Sequence, residues 1–406
     1  MKKRLLRVAH WVSHLLSFVF VYGYVNPLYR PRTVKGSDRT PKAPFIMLGN
    51  HGTFLDPWLI GQRSLQPVYY MCNDDAWRAG PATRVYLDGV GAFPKKKGGV
   101  DYKALKATLR YLGQGSPVCI FPEGQTSWDG ETQLIYKGLE RLIKKAAVPV
   151  VIYNLCGNFL TKPWWAQTRR KGRVLVHARV LTPERIASLS DDELFAEIKQ
   201  GVYHNDIKDE RNRQVTFSGH DLAHGVERFM WSCMHCGAED RLKTSGNDIS
   251  CEACGGQWRM DAYCQLQPLR EGFASLADLK DWSDLQRERV IGRINDAASD
   301  AELTHSDGVV LQTLADDGYT FLNRATGRLS VTKETLIFDP VSDESYALSI
   351  PVDELRDTVI QKKDICEVRH GETYYRFLFD GHSPMKWVYY LRYLRGFEKI
   401  EQRGYL

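Results

Sequence analysis

The sequence GNHGTFLD, residues 49–56, follows directly on a short apolar run at residues 45–48. Its glycines and the following Pro57 predict an exposed turn that leads from a strand into a helix. A carboxylate close to a histidine accepts a hydrogen bond from one ring nitrogen, which leaves the other nitrogen free to act as a base. His51 and Asp56 are therefore a candidate catalytic pair, although a loop histidine beside a helix-capping aspartate also fits this spacing.

Around this turn, apolar runs of strand length alternate with helical patterns as far as about residue 180. The strand candidates lie at residues 45–48, 68–71, 118–121, 148–153 and 174–178, and the helical patterns at 102–113 and 132–147. Short, mostly apolar strands joined by helices are typical of an α/β domain whose sheet is covered on both faces. The polar stretch at 182–230 predicts a mostly helical continuation, so we expect this domain to occupy residues 31–230.

Three later stretches add to the motif at residues 49–56. They are GAFPKKKG at 91–98, FPEGQTS at 121–127 and VPVV at 148–151. The four stretches together, in this order, resemble the four sequence blocks of the PlsC-like glycerolipid (lysophospholipid) acyltransferases. The resemblance covers about residues 45–180. Each block is a weak signal by itself, and the shared order makes the resemblance specific.

This resemblance implies an enzyme that moves a fatty acyl group from acyl-CoA or acyl carrier protein to a hydroxyl of a lysophospholipid, with 1-acylglycerol-3-phosphate as the leading acceptor. It implies His51 as the general base and Asp56 as the residue that orients it, with no organic cofactor. It also implies that Lys97, Glu123 and Gly124 bind the acceptor. A solvated basic turn at residues 95–97 and a helix-capping role for Glu123 are the alternatives.

Two positions depart from the family pattern. Thr126 stands where the third block usually has arginine, and Lys97 stands where arginine is commoner in the second. Arginine holds a phosphate through two parallel hydrogen bonds, whereas lysine acts as a point charge. The acceptor headgroup is therefore left open. Cysteine is the rival nucleophile, but no motif surrounds the candidate thiols, which we expect to be inert: Cys72, Cys119 and Cys156.

The N-terminal segment combines basic residues with an apolar stretch at residues 8–25. No small-residue cleavage pattern follows it, so a cleavable signal peptide is not indicated. Eighteen residues is close to the shortest helix that spans a bilayer, and basic residues flank both ends. We expect a membrane-associated helix at residues 1–30, spanning or lying in the interface, at the cytoplasmic face of the inner or another cytoplasm-facing membrane. A buried core helix is the alternative.

Two C-x-x-C pairs mark the middle of the chain, Cys233 with Cys236 and Cys251 with Cys254. Fourteen residues separate the two pairs, and glycine follows each of them. Four cysteines in this arrangement are typical of a structural zinc site with tetrahedral thiolate ligands. The sequence predicts a zinc ribbon at residues 231–265, with unmetallated thiols as the alternative and His235 and Cys264 as substitute ligands.

The last third of the chain changes character. Residues 266–304 predict a helical linker, and strand-length runs with intervening turns follow, at residues 308–314, 319–323, 327–332, 335–338, 347–351, 364–369 and 372–379. A helical face then forms from Trp387, Tyr390, Leu391 and Leu394. About seven short strands closed by one helix resemble the PH/GRAM superfold. We therefore expect a non-catalytic, mostly-β PH-like barrel at residues 305–406.

Charge limits the possible functions. Nine of the 55 Lys and Arg residues lie in residues 1–44 beside a single acidic residue, so this segment carries +8 and the rest of the chain, with 46 basic and 48 acidic residues, carries −2. This distribution disfavours a nucleic-acid binder and favours a basic N-terminus that meets an anionic surface. The competing function is a catalytically degenerate membrane adaptor that binds partners through the zinc ribbon and the PH-like part.

The predicted architecture is thus an α/β acyltransferase domain with an N-terminal membrane-associated helix, a small zinc ribbon, and a C-terminal mostly-β PH-like barrel with a closing helix. The partners it implies are membrane lipids, including a lysophospholipid acceptor, and an acyl-CoA or acyl carrier protein donor. No nucleic-acid partner is expected.

Overall fold

The computed structural model describes residues 2–96, 101–318 and 320–404. The chain divides into two compact units. Unit 1 contains Met1–Trp164, Arg169–Gly219 and Gly404–Leu406, and unit 2 contains Trp165–Thr168 and His220–Arg403. The predicted zinc ribbon and linker fall within unit 2, as does the predicted PH-like part as far as Arg403, and the boundaries between them stay predictions.

Unit 1 is built on a seven-stranded sheet with the strand order β1-β7-β6-β2-β5-β3-β4. Neighbouring strands are parallel except for β6 and β7, which pair antiparallel. The strands are β1 Arg32–Thr33, β2 Ile46–Gly49, β3 Tyr69–Asn73, β4 Ala92–Lys95, β5 Val118–Ile120, β6 Val150–Cys156 and β7 Leu175–Leu181. The α/β class is confirmed.

Helices cover both faces of this sheet. They are α1 Lys2–Phe20, α2 Asn26–Tyr29, α3 Asp56–Gly61, α4 Pro81–Gly89, α5 Tyr102–Gly113, α6 Leu139–Ala146, α7 Asn158–Thr161, α8 Pro183–Ser188 and α9 Asp191–Val202. A π-helical turn, Val21–Val25, joins α1 to α2. The alternation of the strand side chains divides the core into two layers, because successive residues point to opposite faces.

One core layer contains Ile46 and Leu48 of β2, which lie with Ile143 of α6 and Ile198 of α9. The other contains Met47 of the same strand, with residues from α3 and from the helical N-terminus: Val21, Val25, Leu59 and Ile60. Burial on both faces explains why the strands read as continuous apolar runs in the sequence.

Two predictions of helical structure need correction. The helix predicted from residue 132 begins only at Leu139, after Gly138, whose φ of 104° is not helical. The segment 182–230, predicted to be mostly helical, is helical only as far as Val202. Beyond that point the chain forms turns and short 3₁₀ segments, and the buried side chain of Asp206 ties it to the backbone amides of Gly157 and Phe159.

The N-terminal helix α1 has an unusual distribution of polarity. Its inward side carries His10, whose Nε2 lies 3.2 Å from the carbonyl oxygen of Val68. Its outward side carries large apolar side chains that are exposed, at a spacing of three and four residues: Val8, Trp11, Val12, Leu15, Leu16 and Val19. The run Val8–Tyr29 is long and apolar enough to cross a bilayer, judged by length and composition, and 22% of it is buried.

Unit 2 begins with a four-stranded antiparallel sheet in the order β11-β10-β9-β8. Its strands are β8 Leu242–Ser245, β9 Asp248–Cys251, β10 Gln257–Met260 and β11 Leu266–Pro268. Helix α10, Leu279–Asp296, follows, and the segment predicted as a helical linker therefore contains a strand as well as this helix. Trp282 of α10 donates from Nε1 to the carbonyl oxygen of Ser232 at 2.8 Å.

The remainder of unit 2 is a seven-stranded antiparallel sheet in the order β15-β14-β13-β12-β18-β17-β16, followed by two helices. The strands are β12 Thr304–Leu314, β13 Phe321–Val331, β14 Thr335–Pro340, β15 Leu348–Pro351, β16 Leu355–Gln361, β17 Ile365–His370 and β18 Thr373–Leu378. The helices are α11 Pro384–Leu394 and α12 Phe397–Arg403. The mostly-β class is confirmed, and the PH/GRAM identity of this part stays a prediction.

Two strands in this sheet differ from the prediction. Residue 319 lies outside the described residues, and the rest of the runs at 319–323 and 327–332 falls in the single strand β13 apart from its last residue. Exposed polar residues in the first half of β13 interrupt the apolar pattern, and the ladder continues through them with one register shift. Strand β16 was not predicted, because a register shift after Arg356 removes its alternation. Helix α11 buries Trp387, Tyr390 and Leu391 as predicted, whereas Leu394 is only half-buried.

Candidate active site

The carboxyl ends of five neighbouring parallel strands meet at one edge of the unit 1 sheet. In open α/β sheets this edge is where ligands usually bind. The residues that follow or end β2, β3, β4, β5 and β6 there are, in that order, His51, Asn73, Lys95, Gly124 and Asn158. The sheet therefore brings together residues that are more than a hundred positions apart in the chain.

His51 and Asp56 form a hydrogen-bonded pair at this edge. Nδ1 of His51 lies 3.1 Å from Oδ2 of Asp56, and the carboxylate of Asp56 is 0% exposed. With its proton on Nδ1, the ring donates to the carboxylate and keeps a lone pair on Nε2. The pairing expected from the sequence is therefore present, and its geometry suits a general base.

Asp56 receives three further hydrogen bonds. The backbone N–H of Thr53 donates to Oδ2 at 2.8 Å, and the hydroxyl of Thr53 donates to Oδ1 at 2.8 Å. The side-chain amide of Asn158 donates to Oδ1 at 3.1 Å. Both carboxylate oxygens are thus fixed by donors, which holds Asp56 in the orientation that faces His51.

The loop that carries His51 is tied to the neighbouring strands. The side-chain amide of Asn50 donates to the carbonyl oxygen of Leu155 at 2.8 Å and accepts from its N–H at 2.7 Å. The N–H of His51 donates to Oε1 of Glu123 at 2.7 Å, and the carbonyl oxygen of His51 accepts from Ser127 at 2.6 Å. The imidazole also stacks on Phe121, with ring centroids 4.2 Å apart. These contacts restrict both the backbone and the ring of His51.

His51 borders a cavity of about 210 Å³ that is mostly apolar. One wall comes from the inward side of α1, through His10, Ser13, His14 and Ser17. The other walls are formed by side chains of the sheet and of α3 and α4, among them Trp58, Val68, Leu87, Val90 and Ile120. Lys95 and Asn73 add polar groups to the lining. The cavity can therefore accept a chain-like apolar group close to His51.

The residues predicted to bind an acceptor have different outcomes. Gly124 lines the cavity with a φ of 68°, and its carbonyl oxygen accepts a hydrogen bond from Asn73 at 2.5 Å. Lys97 lies outside the described residues. Lys95, two positions earlier, lines the cavity, and its ammonium lies 4.6 Å from the centroid of the Tyr136 ring.

Glu123 is buried, and backbone amides bind both of its carboxylate oxygens. The amide of His51 donates to one oxygen and the amide of Gln133 to the other, at 2.6 Å. Burial raises the pKa of Glu123 well above its usual value, although the hydrogen bonds from the two amides lower it. The carboxylates of Asp56 and Asp129 raise this pKa further. These contacts assign Glu123 a role in holding the His51 loop, while its predicted contact with an acceptor stays a prediction.

The rival cysteine mechanism finds no support in the buried thiols. Burial raises the pKa values of both Cys119 and Cys156 far above that of a free thiol, and nearby carboxylates raise them further. Since the thiolate is the reactive form, these two residues are poor nucleophiles. Cys72 is half-buried and lines the cavity.

The two cysteine pairs of unit 2 converge on one point. The four Sγ atoms all lie within 4.8 Å of one another, and the distances between Cys233 and Cys254 and between Cys236 and Cys251 are both 3.8 Å. A tetrahedron of thiolates with metal–sulfur bonds of about 2.3 Å has edges of about 3.8 Å. The donor set therefore fits zinc. His235 is engaged elsewhere, since its Nδ1 accepts from the N–H of Ala274 at 3.2 Å.

Sequence reasoning did not identify Thr53, Asn73 or Asn158. Thr53 lies inside the motif at residues 49–56, and a hydroxyl three residues before a buried aspartate is a local signal that could have revealed it. Asn73 and Asn158 reach the site from the ends of β3 and β6. Their contacts depend on the strand order, which the sequence of either segment alone does not contain.

A half-buried histidine paired with a buried aspartate lies at the carboxyl edge of an α/β sheet, beside an apolar cavity, and this arrangement suits base-assisted group transfer. Residues 31–153 match the sequence model of the Acyltransferase family. This match lies within unit 1, and it confirms the resemblance of this part of the chain to the acyltransferases.

Solved structures that resemble parts of this chain include the following three. The crystal structure of the 1-acyl-sn-glycerophosphate (LPA) acyltransferase PlsC from Thermotoga maritima is 19% identical and covers 50% of this chain and 96% of its own, with a TM-score of 0.36. A structure from a systematic screen for protein–lipid interactions in Saccharomyces cerevisiae is 15% identical and covers 24% of this chain and 97% of its own, with a TM-score of 0.18. The Slm1-PH domain in complex with phosphoserine is 16% identical and covers 23% of this chain and 95% of its own, with a TM-score of 0.17. These TM-scores establish neither a shared fold nor a shared function.

Proposed function

We propose that this protein is a membrane-surface glycerolipid O-acyltransferase. It transfers a fatty acyl group from acyl-CoA or acyl carrier protein to a hydroxyl of a lysophospholipid, with 1-acylglycerol-3-phosphate as the first acceptor to test. The observation that carries the proposal is the 3.1 Å pair of His51 and Asp56 beside a mostly apolar cavity of about 210 Å³. The acyltransferase-family match over residues 31–153 supports the same reaction class.

In the proposed mechanism, Nε2 of His51 takes the proton of the acceptor hydroxyl as its oxygen attacks the thioester carbonyl. The tetrahedral intermediate then collapses, the carbon–sulfur bond breaks, and the proton on His51 passes to the departing thiolate. Asp56 orients the ring and stabilises its charged form through the contact at Nδ1. The products are the acylated lipid and the free thiol, so no acyl group is attached to the protein.

The membrane association that we propose rests on α1. Its exposed apolar stripe faces away from unit 1, whereas its inward side carries histidines and serines. An apolar outward face is unfavourable in water and favourable at a lipid interface. Phe54, which is 73% exposed, lies beside Trp58 in the segment that follows His51. This arrangement would bring the cavity close to the cytoplasmic membrane surface that supplies the acceptor.

Substitution of the pair tests the reaction. His51→Ala should lower kcat for acyl transfer to a lysophospholipid at least about a hundredfold, as expected for the loss of a general base. Asp56→Asn should also lower kcat, because an amide cannot stabilise the charged ring in the same way. The measurement is release of the free thiol from acyl-CoA in the presence of lysophospholipid.

The matched control is His177→Ala, on β7 and outside the residues that line the cavity, which should retain near-normal turnover. Near-normal turnover of the His51→Ala variant would contradict the mechanism, and the adaptor function would then be the better interpretation.

We also propose that the four cysteines of unit 2 bind one structural zinc ion. A closed set of four thiolates leaves no open coordination position, so the ion would stabilise the ribbon and take no part in acyl transfer. Elemental analysis of the folded protein should find one zinc per chain. Cys236→Ser should lower the zinc content strongly, while Cys366→Ala, at a buried thiol in β17, should not. A wild-type content well below one equivalent would contradict this assignment.

A further inference from the structure

We propose that Asn158 is a positioning residue for the His51–Asp56 pair. This inference rests on the proposed function and adds to it a residue that no sequence motif marks. Asn158 begins α7 immediately after β6, and its side-chain amide donates to Oδ1 of Asp56 at 3.1 Å.

The contact is distinctive because of where it originates. The other donors to Asp56 are the ring of His51 and two groups of Thr53, all in the loop that also contains Asp56. The backbone of this loop is held by Asn50 and Glu123, but those contacts do not touch the side chain of Asp56. The amide of Asn158, from helix α7, is the contact that fixes this carboxylate from outside its own loop.

The surroundings of Asn158 show that the chain makes room for this contact. A Cβ atom at Gly52 would lie only 2.7 Å from Nδ2 of Asn158, so the amide can approach Asp56 only because residue 52 is a glycine. Oδ1 of Asn158 is buried and has no hydrogen-bond partner among the described residues. A buried polar atom without a partner is unfavourable, and a residue needed only for packing would more simply be apolar.

The orientation of the amide follows from the charge of its neighbour. If the amide were reversed, its oxygen would face a carboxylate oxygen and would repel it. The NH₂ group must therefore face Asp56 and donate to Oδ1 of its carboxylate. This contact keeps Oδ2 directed at Nδ1 of His51, so that Nε2 is left available as the base.

Helix α7 is itself held rigidly. The buried carboxylate of Asp206 accepts hydrogen bonds from the backbone amides of Gly157 at 2.6 Å and Phe159 at 2.7 Å, on either side of Asn158. The ring of His204 in turn contacts Oδ1 of Asp206. The position of Asn158 is thus set by the segment beyond α9, so α7 can serve as a fixed support for Asp56 and His51.

The test compares Asn158→Leu and Asn158→Asp with the control Asn154→Leu. Asn154 lies four residues earlier, on β6, and its amide donates away from the pair, to the carbonyl oxygen of Tyr203 at 2.9 Å. Steady-state acyl transfer to lysophospholipid is measured for each variant from pH 5 to pH 9. Thermal unfolding checks that each variant is folded, and Asn158→Ser replaces Asn158→Leu if the leucine variant does not fold.

We expect Asn158→Leu to lower kcat at least tenfold with KM changed less than about twofold. Asn158→Asp keeps the side-chain shape and places a second carboxylate beside Asp56. The added negative charge should move the acidic limb of the kcat/KM profile to higher pH, because it favours the protonated ring of His51. Asn154→Leu should leave this limb in place.

An unchanged kcat for Asn158→Leu, or an unmoved limb for Asn158→Asp, would overturn the inference. So would a shift of the limb in Asn154→Leu as large as that in Asn158→Asp. The His51→Ala variant distinguishes a failure of the positioning role of Asn158 from a failure of the proposed function. If that variant is inactive while the Asn158 variants behave as wild type, only the positioning role fails. If it is fully active, the proposed function fails.

Discussion

Gly52 shows how closely the residues around His51 are packed. A side chain at this position would meet the amide of Asn158, whose nitrogen would lie 2.7 Å from the new Cβ and whose carbon would lie 2.9 Å from it. Asn158 begins a short helix held by Asp206, so it cannot move aside easily. The requirement for glycine at position 52 therefore comes from close packing, since its φ is not in the left-handed region.

We expect Gly52→Ala to lower kcat at least tenfold and to reduce the free energy of unfolding of unit 1 by about 1–3 kcal/mol, the usual effect of overpacking. The matched control is Gly113→Ala at the end of α5, where a Cβ meets nothing within 4 Å. Denaturant unfolding and steady-state acyl transfer measure the two effects. Wild-type behaviour of Gly52→Ala on both measures would show that the loop adapts more easily than its contacts indicate.

The sequence predicted the part of the site that is local in the chain. His51 and Asp56 lie five residues apart on one turn, which made them a candidate pair, and the order of the four sequence blocks favoured this interpretation over a capping aspartate. Asn158 lies 102 residues from Asp56, and Glu123 lies 72 residues from His51. Such contacts depend on the order of strands in the sheet, which periodicity and turn signals do not determine.

At the scale of elements, a buried ion pair connects the segment that follows the Cys233–Cys236 pair to helix α11. Lys386 of α11 is 1% exposed, and its ammonium pairs with Asp240 and donates to the carbonyl oxygen of His305 at 2.7 Å. Burial alone would raise the pKa of Asp240, but the ring of His382, whose Nδ1 lies 3.5 Å from the carboxylate, and the charge of Lys386 outweigh this effect and hold the pKa below its usual value.

Breaking this pair should destabilise unit 2. We expect Asp240→Asn to lower the free energy of unfolding by about 1.5–3 kcal/mol, because it removes the nearer of the two carboxylates that face the buried ammonium of Lys386 and leaves only Glu239, 3.9 Å away. Asparagine suits the site, where φ is 54°. Asp240→Asn with Lys386→Met should recover most of the loss, since the buried charge that lost its nearer partner is removed. Equal instability of the single and double variants would show that the charge of Lys386 is not the cause.

The sign of the pH dependence follows from the lowered pKa of Asp240. A carboxyl whose folded-state pKa is below its unfolded value stabilises the fold above the unfolded pKa. This contribution is lost as the pH falls through the folded pKa. The stability difference between wild type and Asp240→Asn should therefore be full at pH 7 and shrink on acidification below about pH 4.

The elements of unit 2 also show which strands a sequence reveals. Strands that carry a short apolar run bounded by turn residues, such as β14 and β17, were predicted within one or two residues of their observed bounds. Strand β16 contains a register shift and escaped notice, since a bulge removes the alternation that marks a strand. The first half of β13 is largely exposed on both faces, so its residues carry no apolar pattern.

At the scale of the whole molecule, the outward face of α1 exposes a stripe of large apolar side chains, which is unfavourable in water. Leu16 and Val19 are 63% and 72% exposed, while Val21 and Val25, which follow them, are buried in the core of unit 1. Removing the whole segment would therefore damage the fold as well as any membrane contact. Polar substitution at the two exposed positions separates these effects.

We expect Leu16→Gln with Val19→Gln to shift the protein from the vesicle-bound to the soluble fraction in sedimentation with anionic vesicles, because it removes apolar surface that would enter the interface. The thermal midpoint should stay unchanged. The control is Val341→Gln, at an exposed position in unit 2 that should not affect binding. Full vesicle binding of the double variant would place the membrane contact elsewhere in the chain.

The inward side of α1 has a different consequence. The same helix that carries the exposed apolar stripe contributes one wall of the cavity beside His51, through His10, Ser13, His14 and Ser17. If the proposed function holds, helix α1 would lie between the bilayer and the cavity in which acyl transfer takes place. Turnover would then follow the number of acceptor molecules per unit area of lipid and not their bulk concentration, so the kinetics would be those of a two-dimensional substrate, slowed when inert lipid dilutes the surface.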